Sequence, residues 1–275
     1  TCYDLNINNL KSIDKLNINI KKKYIQKLKN LTKEILTNKN IILDEIKKIH
    51  ILNYKLKEIK KSQNHQIQQI FFLTDICKKF GTSPFSGIAR IAFICTKILR
   101  SLEDIKIIDN NDINNFYLDT STITQTMNQD LLKINDIKSK NYFINKYGHL
   151  RPNTYSITSL NYKEGYNIYF SNKSKKNYLK KKNLFKLNNS KIKKINYIFK
   201  KEKLGIGAKD FFKLTKLAIE QREYAKFCFS RCINEIFNNL IELGKKINIS
   251  RQEMEFINFK TILYSYSNLN TEKLK

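Results

Sequence analysis

Apolar residues recur along this chain at steps of three and four, the spacing of one face of an α-helix. Residues 85–102 show it well. Phe85, Ile88, Ala89, Ala92, Leu99 and Leu102 share a stripe, with small Ala89 and Ala92 where a second helix can approach closely and with Arg90 and Arg100 pointing elsewhere. A longer stripe of Phe211, Leu214, Ala218, Ala225, Cys228, Cys232, Ile236 and Leu240 predicts one long helix over 208–243, with Gly244 as its left-handed terminator. Ile35, Ile42, Ile46, Ile49 and Leu56 predict two or three weakly capped helices within residues 1–80. Residues 109–146 continue the helical pattern from a polar start at Asp109 to Asp112, and Ser250-Arg-Gln-Glu253 is a capping-box pattern opening one more short helix.

Between these stripes the chain is punctuated sparingly. At Phe80-Gly-Thr-Ser-Pro84, Gly81 ends one element, Ser83 can N-cap the next, and Pro84 fits the first helical position, where no amide proton is needed. The run from Lys146 to Leu160 cannot continue as helix, because Gly148 admits positive φ and Pro152 pushes Arg151 towards extended geometry. Gly205-Ile-Gly207 breaks the chain again before the long helix. With 7 Gly and 2 Pro in 275 residues, hairpin-rich sandwiches, barrels and glycine-looped dinucleotide folds are disfavoured. The expected fold is all-α, an irregular multi-helix domain with one long C-terminal helix and a constrained loop around 147–160. Its expected parts are an N-terminal helical segment over 1–80, a helical middle region over 81–260 with a Lys-rich connector at 172–203, and a polar tail over 261–275.

Composition narrows the class. The net charge is +28, yet 41% of residues are hydrophobic and 12% aromatic, too apolar for a charge-driven disordered chain. The most apolar stretch, Phe85 to Leu99, is cut by Arg90 and Lys97, so no membrane span is expected. Five Cys without framework spacing suit reduced thiols and a cytoplasmic location. The opening Thr-Cys-Tyr and the polar ending suggest a segment of a longer protein.

The basic residues are 46 Lys and six Arg. A protein that reads bases or grips phosphate bidentately would be expected to use more Arg, so the Lys, Asn and Ile excess reads first as the codon drift of an AT-rich genome. Residues 172–203 hold thirteen Lys against one acid, Glu202, interleaved with Tyr178, Phe185, Tyr197 and Phe199. They form either a surface connector or a groove for single-stranded nucleic acid, whose binding would be non-specific and salt-sensitive. Drift also supplies a filter. All twenty Gly, Ala, Arg and Pro residues fall in 81–100, 148–165 or 205–251, the windows where something resisted replacement.

There is no Gly-rich phosphate cradle, no H-E-x-x-H, no CxxC and no nucleophile elbow. Cys228 and Cys232 sit one turn apart on the apolar stripe as core thiols, no metal site is expected, and His50 and His65 read as surface residues. His149 differs. Tyr147, Gly148, His149, Arg151 and Tyr155 crowd a general base, a fixed cation and two hydroxyls into one constrained loop, the chemistry suited to a phosphoryl group. The same residues would equally serve as a joint that satisfies backbone carbonyls. In a second cluster, Glu220 to Lys226, Arg222 and Lys226 share a helix face and call for an anion or an acid between them, Glu223 being the local candidate.

Tyr147-Gly-His-Leu-Arg-Pro-Asn-Thr-Tyr-Ser-Ile157, followed by Leu160-Asn-Tyr, resembles the Tyr-Gly-His block in the middle region of phosphoenolpyruvate-utilising phosphotransferases, the group of phosphoenolpyruvate synthase-like proteins and rifampicin phosphotransferase. Phe80 to Leu102 is similar to the start of that region, and Arg222 to Arg231 through Leu243-Gly and Ser250-Arg251 to its long closing helix. Asn153 and Ser156 depart from the block, standing where such loops usually carry Gly and an acid. The resemblance implies a phosphotransferase with an ATP-grasp domain using ATP and Mg, a helical substrate-side region, and a mobile phosphohistidine domain that carries phosphoryl groups to or from a small-molecule acceptor. This chain would be the middle region, inactive alone and binding no cofactor itself. His149 and Arg151 are then the expected catalytic residues, with Tyr147, Tyr155, Arg90, Arg222, Glu223 and Lys226 on the substrate. The competing readings are a non-enzymatic basic helical protein that binds nucleic acid through 172–203, and a helical adaptor with no site.

Overall fold

The computed structural model describes residues 2–6, 17–62, 64–170 and 185–268, and among them the chain is all-α, with no strand. The first part of the chain forms α1 (Ile18–Thr37), α2 (Lys39–Lys61) and α3 (Gln66–Cys77). Asn17 caps α1 by accepting from the Asn19 amide. His65, expected only at the surface, caps α3: its ring accepts from the Ile67 amide while its own backbone N–H donates to Gln68.

α4 (Ser83–Asp104) follows α3 without the expected stop. Lys78–Thr82 form a π-helical turn, and Ser83, at φ −62° and ψ −54°, is helical rather than an N-cap. The wider turn accommodates Pro84. Ser83 N–H donates to the Lys78 carbonyl five residues back, shifting the bonding pattern just before the residue that has no amide proton. Gly81 is there for room, since a Cβ would lie 2.9 Å from Phe229 Cβ and 3.3 Å from Leu52 Cδ2.

Beyond α4 come α5 (Asn110–Asp119), α6 (Ile123–Leu132), α7 (Ile137–Tyr147), α8 (Tyr166–Phe170), α9 (Asn189–Lys201), α10 (Ala208–Lys246) and α11 (Phe259–Asn268). Asp109 and Asp112 cap α5 reciprocally. Every residue of the stripe predicted for the long helix is buried. That helix, α10, spans 39 residues and carries Gly244 within it; the left-handed residue that follows its end is Asn248, at φ 57°. Ser250 and Glu253 form the expected capping box, which opens a 3₁₀ turn at Glu253–Phe256. Of the stretch read as a polar tail over 261–275, residues 261–268 belong to α11, where Ile262 and Ser265 are buried; 269–275 lie outside the described residues, as do 172–184 of the Lys-rich connector.

Packing divides the chain into two units, neither continuous in sequence. One takes the described residues within 1–46, 85–122 and 180–223, the other those within 47–84, 123–179 and 224–275. The division therefore falls inside α2, at the start of α4 between Pro84 and Phe85, between α5 and α6, and inside α10. The first unit is built on Leu36, Ile98, Leu102, Phe116, Phe199 and Phe211, with Phe116 edge-on to Phe185 and Phe212. The second buries Leu52, Ile70, Leu73, Phe143, Phe229 and Leu240. No described helix is long and apolar enough to cross a membrane.

Gly81→Ala tests the packing around the π turn. Phe229 Cβ is fixed to its backbone and cannot rotate away, so overpacking outweighs the helical gain of alanine. The expected loss in urea unfolding is about 1–3 kcal/mol.

Candidate functional site

The conspicuous block of the sequence lies in the second unit, in the connection between α7 and α8. Two backbone bonds pin it: Tyr162 N–H to Leu150 O at 2.7 Å and Lys163 N–H to Gly148 O at 3.1 Å. That close pairing explains Gly148. Its φ is −59°, not the positive value expected, and a Cβ there would run into the Ile144 carbonyl and sit 3.1 Å from Lys163 Cβ.

Arg151 anchors the loop and is only 7% exposed. Its Nη1 donates to the Ser156 and Ser159 carbonyls, both at 3.3 Å, and its Nη2 to Asn234 Oδ1 of α10 at 2.6 Å, while the guanidinium lies 4.8 Å from the Phe237 ring centre. Arg251 holds the same stretch, donating to Ile157 O at 2.5 Å and Ser159 O at 3.2 Å and pairing with Glu164 at 3.2 Å. Arg151, expected as a cation offered to a phosphoryl group, directs these donors to loop carbonyls and an amide. Ser156 turns its hydroxyl to Thr158 Oγ1 at 2.7 Å and Glu255 Oε1 at 3.2 Å.

Tyr147, expected on the substrate, is turned into the interior. It is fully buried, and its hydroxyl donates to Asp130 Oδ2 at 2.8 Å, an oxygen that Lys146 also holds at 2.8 Å. Burial, reinforced by the Asp130 charge, pushes that hydroxyl up to about 12. Tyr155 is the opposite case, 67% exposed at the loop surface.

His149 is the loop residue that reaches a cleft. The cleft measures about 570 Å³, and His149 lines it together with Lys163, with Lys60 of α2 and with Arg231, Asn234 and Glu235 of α10. The imidazole Nε2 lies 3.1 Å from the Phe227 carbonyl, and the ring packs edge-on to Phe227 at 4.8 Å. A carbonyl only accepts, so Nε2 carries the proton and Nδ1 of the neutral ring keeps a lone pair. Burial first, then the charge of Arg231, depresses the imidazole to about 3, so it is neutral at physiological pH. Arg231 itself stacks on the other partner of that ring, 4.5 Å from the Phe227 centre, and makes no ion pair or hydrogen bond among the described residues.

The remaining expected site residues do not join this cleft, whose lining belongs wholly to the second unit. Arg90, Arg222 and Glu223 belong to the first. There Arg222 bonds Glu223 Oε1, the local acid expected beside it, at 2.8 Å and lies near the rings of Phe85 and Phe93, at 5.8 and 5.5 Å. Arg90 and Lys226 are exposed, and Lys226 does not line the cleft. The sequence placed Phe227 and Arg231 beside the second cluster without giving Arg231 a role, and it marked neither Lys163 nor the amides of α10. Arg231 had one signal, its survival as Arg in a chain that otherwise drifted to Lys; the asparagines had none, because Asn is abundant throughout. Among the described residues, no three His, Cys, Asp or Glu side chains are grouped to hold a metal ion. No protein-family model, curated protein or solved structure matches the chain.

Arg151→Ala should cost about 2–4 kcal/mol in urea unfolding, because it leaves two loop carbonyls and Asn234 without their donor. A second measurement follows His149 with pH. Its folded value of about 3 lies below the ordinary 6.5, so the unfolded chain takes up the proton first. The penalty is absent above about 6.5, and stability falls by up to ~1.4 kcal/mol per pH unit as the pH drops towards 3. His149→Asn should remove that share of the slope between pH 6.5 and 4.

Proposed function

We propose that this chain is the substrate-side helical region of a phosphoenolpyruvate synthase-like phosphotransferase, in which a phosphohistidine domain on the same or a neighbouring chain exchanges a phosphoryl group with an acceptor seated at the His149 cleft. One observation carries the reading: a neutral imidazole with an available Nδ1 lines the same concavity as a guanidinium that no acid neutralises. Nδ1 can take the proton of an attacking acceptor hydroxyl, while Arg231 stabilises charge spread over the phosphoryl oxygens. An imidazole depressed to about 3 is a weak base as it stands. A phosphoryl group against Arg231 offsets the cations' share of that depression and moves the ring towards the range where a general base works. In this reading Arg151 and Arg251 keep the loop in shape, and ATP with magnesium belongs to the ATP-grasp domain.

The nucleic-acid reading keeps one observation in its favour. Lys193, Lys194, Lys200 and Lys201 are exposed on about a third of the circumference of α9, around Tyr197, which is 68% exposed. That is a basic face with a single ring on it, whereas a strand-tracking groove stacks successive bases on several.

The test uses the full-length gene product with γ-labelled ATP or labelled phosphoenolpyruvate. Label should appear on a histidine outside this chain. His149→Asn should leave that labelling intact while slowing its discharge to the acceptor by about a hundredfold or more. Label on His149 itself, or discharge unaffected by the substitution, would rule the reading out.

A further inference from the structure

The charges around the cleft do not balance. Of its three cations, Lys60 is paired with Glu235 at 2.8 Å, but Arg231 and Lys163 find no acidic partner among the described residues. Of its two acids, Glu235 is taken by Lys60, and Glu164 by Arg251 at 3.2 Å. Two like charges left uncompensated on one concave wall repel each other, and an anion placed between them relieves that repulsion.

The rest of the lining is amide. Asn234 Oδ1 already accepts from Arg151 at 2.6 Å and from Asn161 at 3.1 Å, which leaves its NH₂ group as its available donor. Asn145 and Asn238 also line the cleft, with no side-chain hydrogen bond of their own among the described residues. Among the described residues Leu56 and Ile144 are the apolar side chains of the lining, and His149 is its one ring. Small-molecule pockets are ordinarily dominated by apolar and aromatic side chains with a few polar groups. This one inverts the proportion, so a large apolar acceptor such as rifampicin would strand unpaired amides and cations against hydrocarbon.

We infer that the cleft binds a small, several-times hydroxylated anion, of the class of sugar phosphates and sugar acids, with Arg231 and Lys163 on the anionic group and the asparagine amides on the hydroxyls. The volume of about 570 Å³ accommodates a molecule of that size. As a statement about the acceptor this rests on the phosphotransfer reading; as a statement about binding it stands on the cleft alone.

The experiment titrates the 275-residue chain by calorimetry with four probes: glucose 6-phosphate, gluconate, inorganic phosphate and glucose. Glucose 6-phosphate or gluconate should bind at least about tenfold more tightly than inorganic phosphate, and glucose most weakly, since the charge and the hydroxyls are both read. Arg231→Gln and Lys163→Gln should each weaken the preferred probe by about ten- to a hundredfold, the scale of one charge-assisted hydrogen bond, with Arg231→Lys recovering part of the loss. Neither side chain makes a hydrogen bond or ion pair among the described residues, and Gln at 231 keeps a planar group over the Phe227 ring, so the variants should hold their urea midpoints closely. Failure of both hydroxylated anions to bind, equal affinity for inorganic phosphate, or binding that survives both Gln substitutions would overturn the inference. Hydroxylated anions that bind while the full-length protein transfers no phosphoryl group would keep this site and sink the phosphotransfer reading. His149-dependent transfer in the full-length protein, with neither hydroxylated anion binding the cleft, would do the reverse.

Discussion

A backbone segment outside helices must still find donors for its carbonyls, and between α7 and α8 two arginines supply them. Arg151 and Arg251 together take the carbonyls of Ser156, Ile157 and Ser159. An arginine has donors and no acceptor, so once buried it is held by whatever accepts from it, and here that is the loop itself. The bond from Arg151 to Asn234 then fixes this self-wrapped segment to α10. The same segment brings Gly148 against Lys163 and sets His149 in the cleft.

Phe227 is where loop and helix meet. Its ring packs against Tyr147 at 5.9 Å, His149 at 4.8 Å and Arg231 at 4.5 Å, and its carbonyl sets the tautomer of His149. One residue of α10 therefore orients the imidazole, exposes Nδ1 as the acceptor, and holds the nearest free cation by its face. The division of labour among the arginines is clear in these terms. Arg151 and Arg251 donate to loop oxygens, Arg251 also pairing with Glu164, and they build; Arg231 lies over a ring and makes no ion pair or hydrogen bond among the described residues.

The first unit uses its few acids differently. Asp119 pairs with Lys216 at 2.7 Å, Glu202 with Lys29 at 2.6 Å, and Asp109 with Lys191 at 2.9 Å, each joining segments far apart in sequence. Most of its lysines stay on solvated faces, as codon drift implies, and Lys point charges there add little to stability. The exposed face of α9 has the same origin in composition, which is why its geometry alone argues less than the cleft does.

What the sequence by itself determined is whatever depends on neighbours a few residues away. The helical class, the buried stripes of α4 and α10, the capping boxes at Asp109 and Ser250, and the irregular character of 147–160 all arise from spacing of three or four residues or from the torsional limits of Gly and Pro. The windows marked by Gly, Ala, Arg and Pro contain Gly81 and Gly148, where a Cβ would meet a neighbour, and Arg151, whose guanidinium bonds loop and helix. Only the tertiary structure decided which arginine is spent and which is free, since Arg151 meets Asn234 across 83 residues, and no local pattern encodes that meeting. It likewise turned Tyr147 inward to Asp130, carried the helix through Pro84 on a π turn, and made Gly148 a matter of contact rather than torsion. In each case the deciding quantity is the room and the hydrogen-bonding partners left by a segment distant in sequence, and these exist only after the chain has packed.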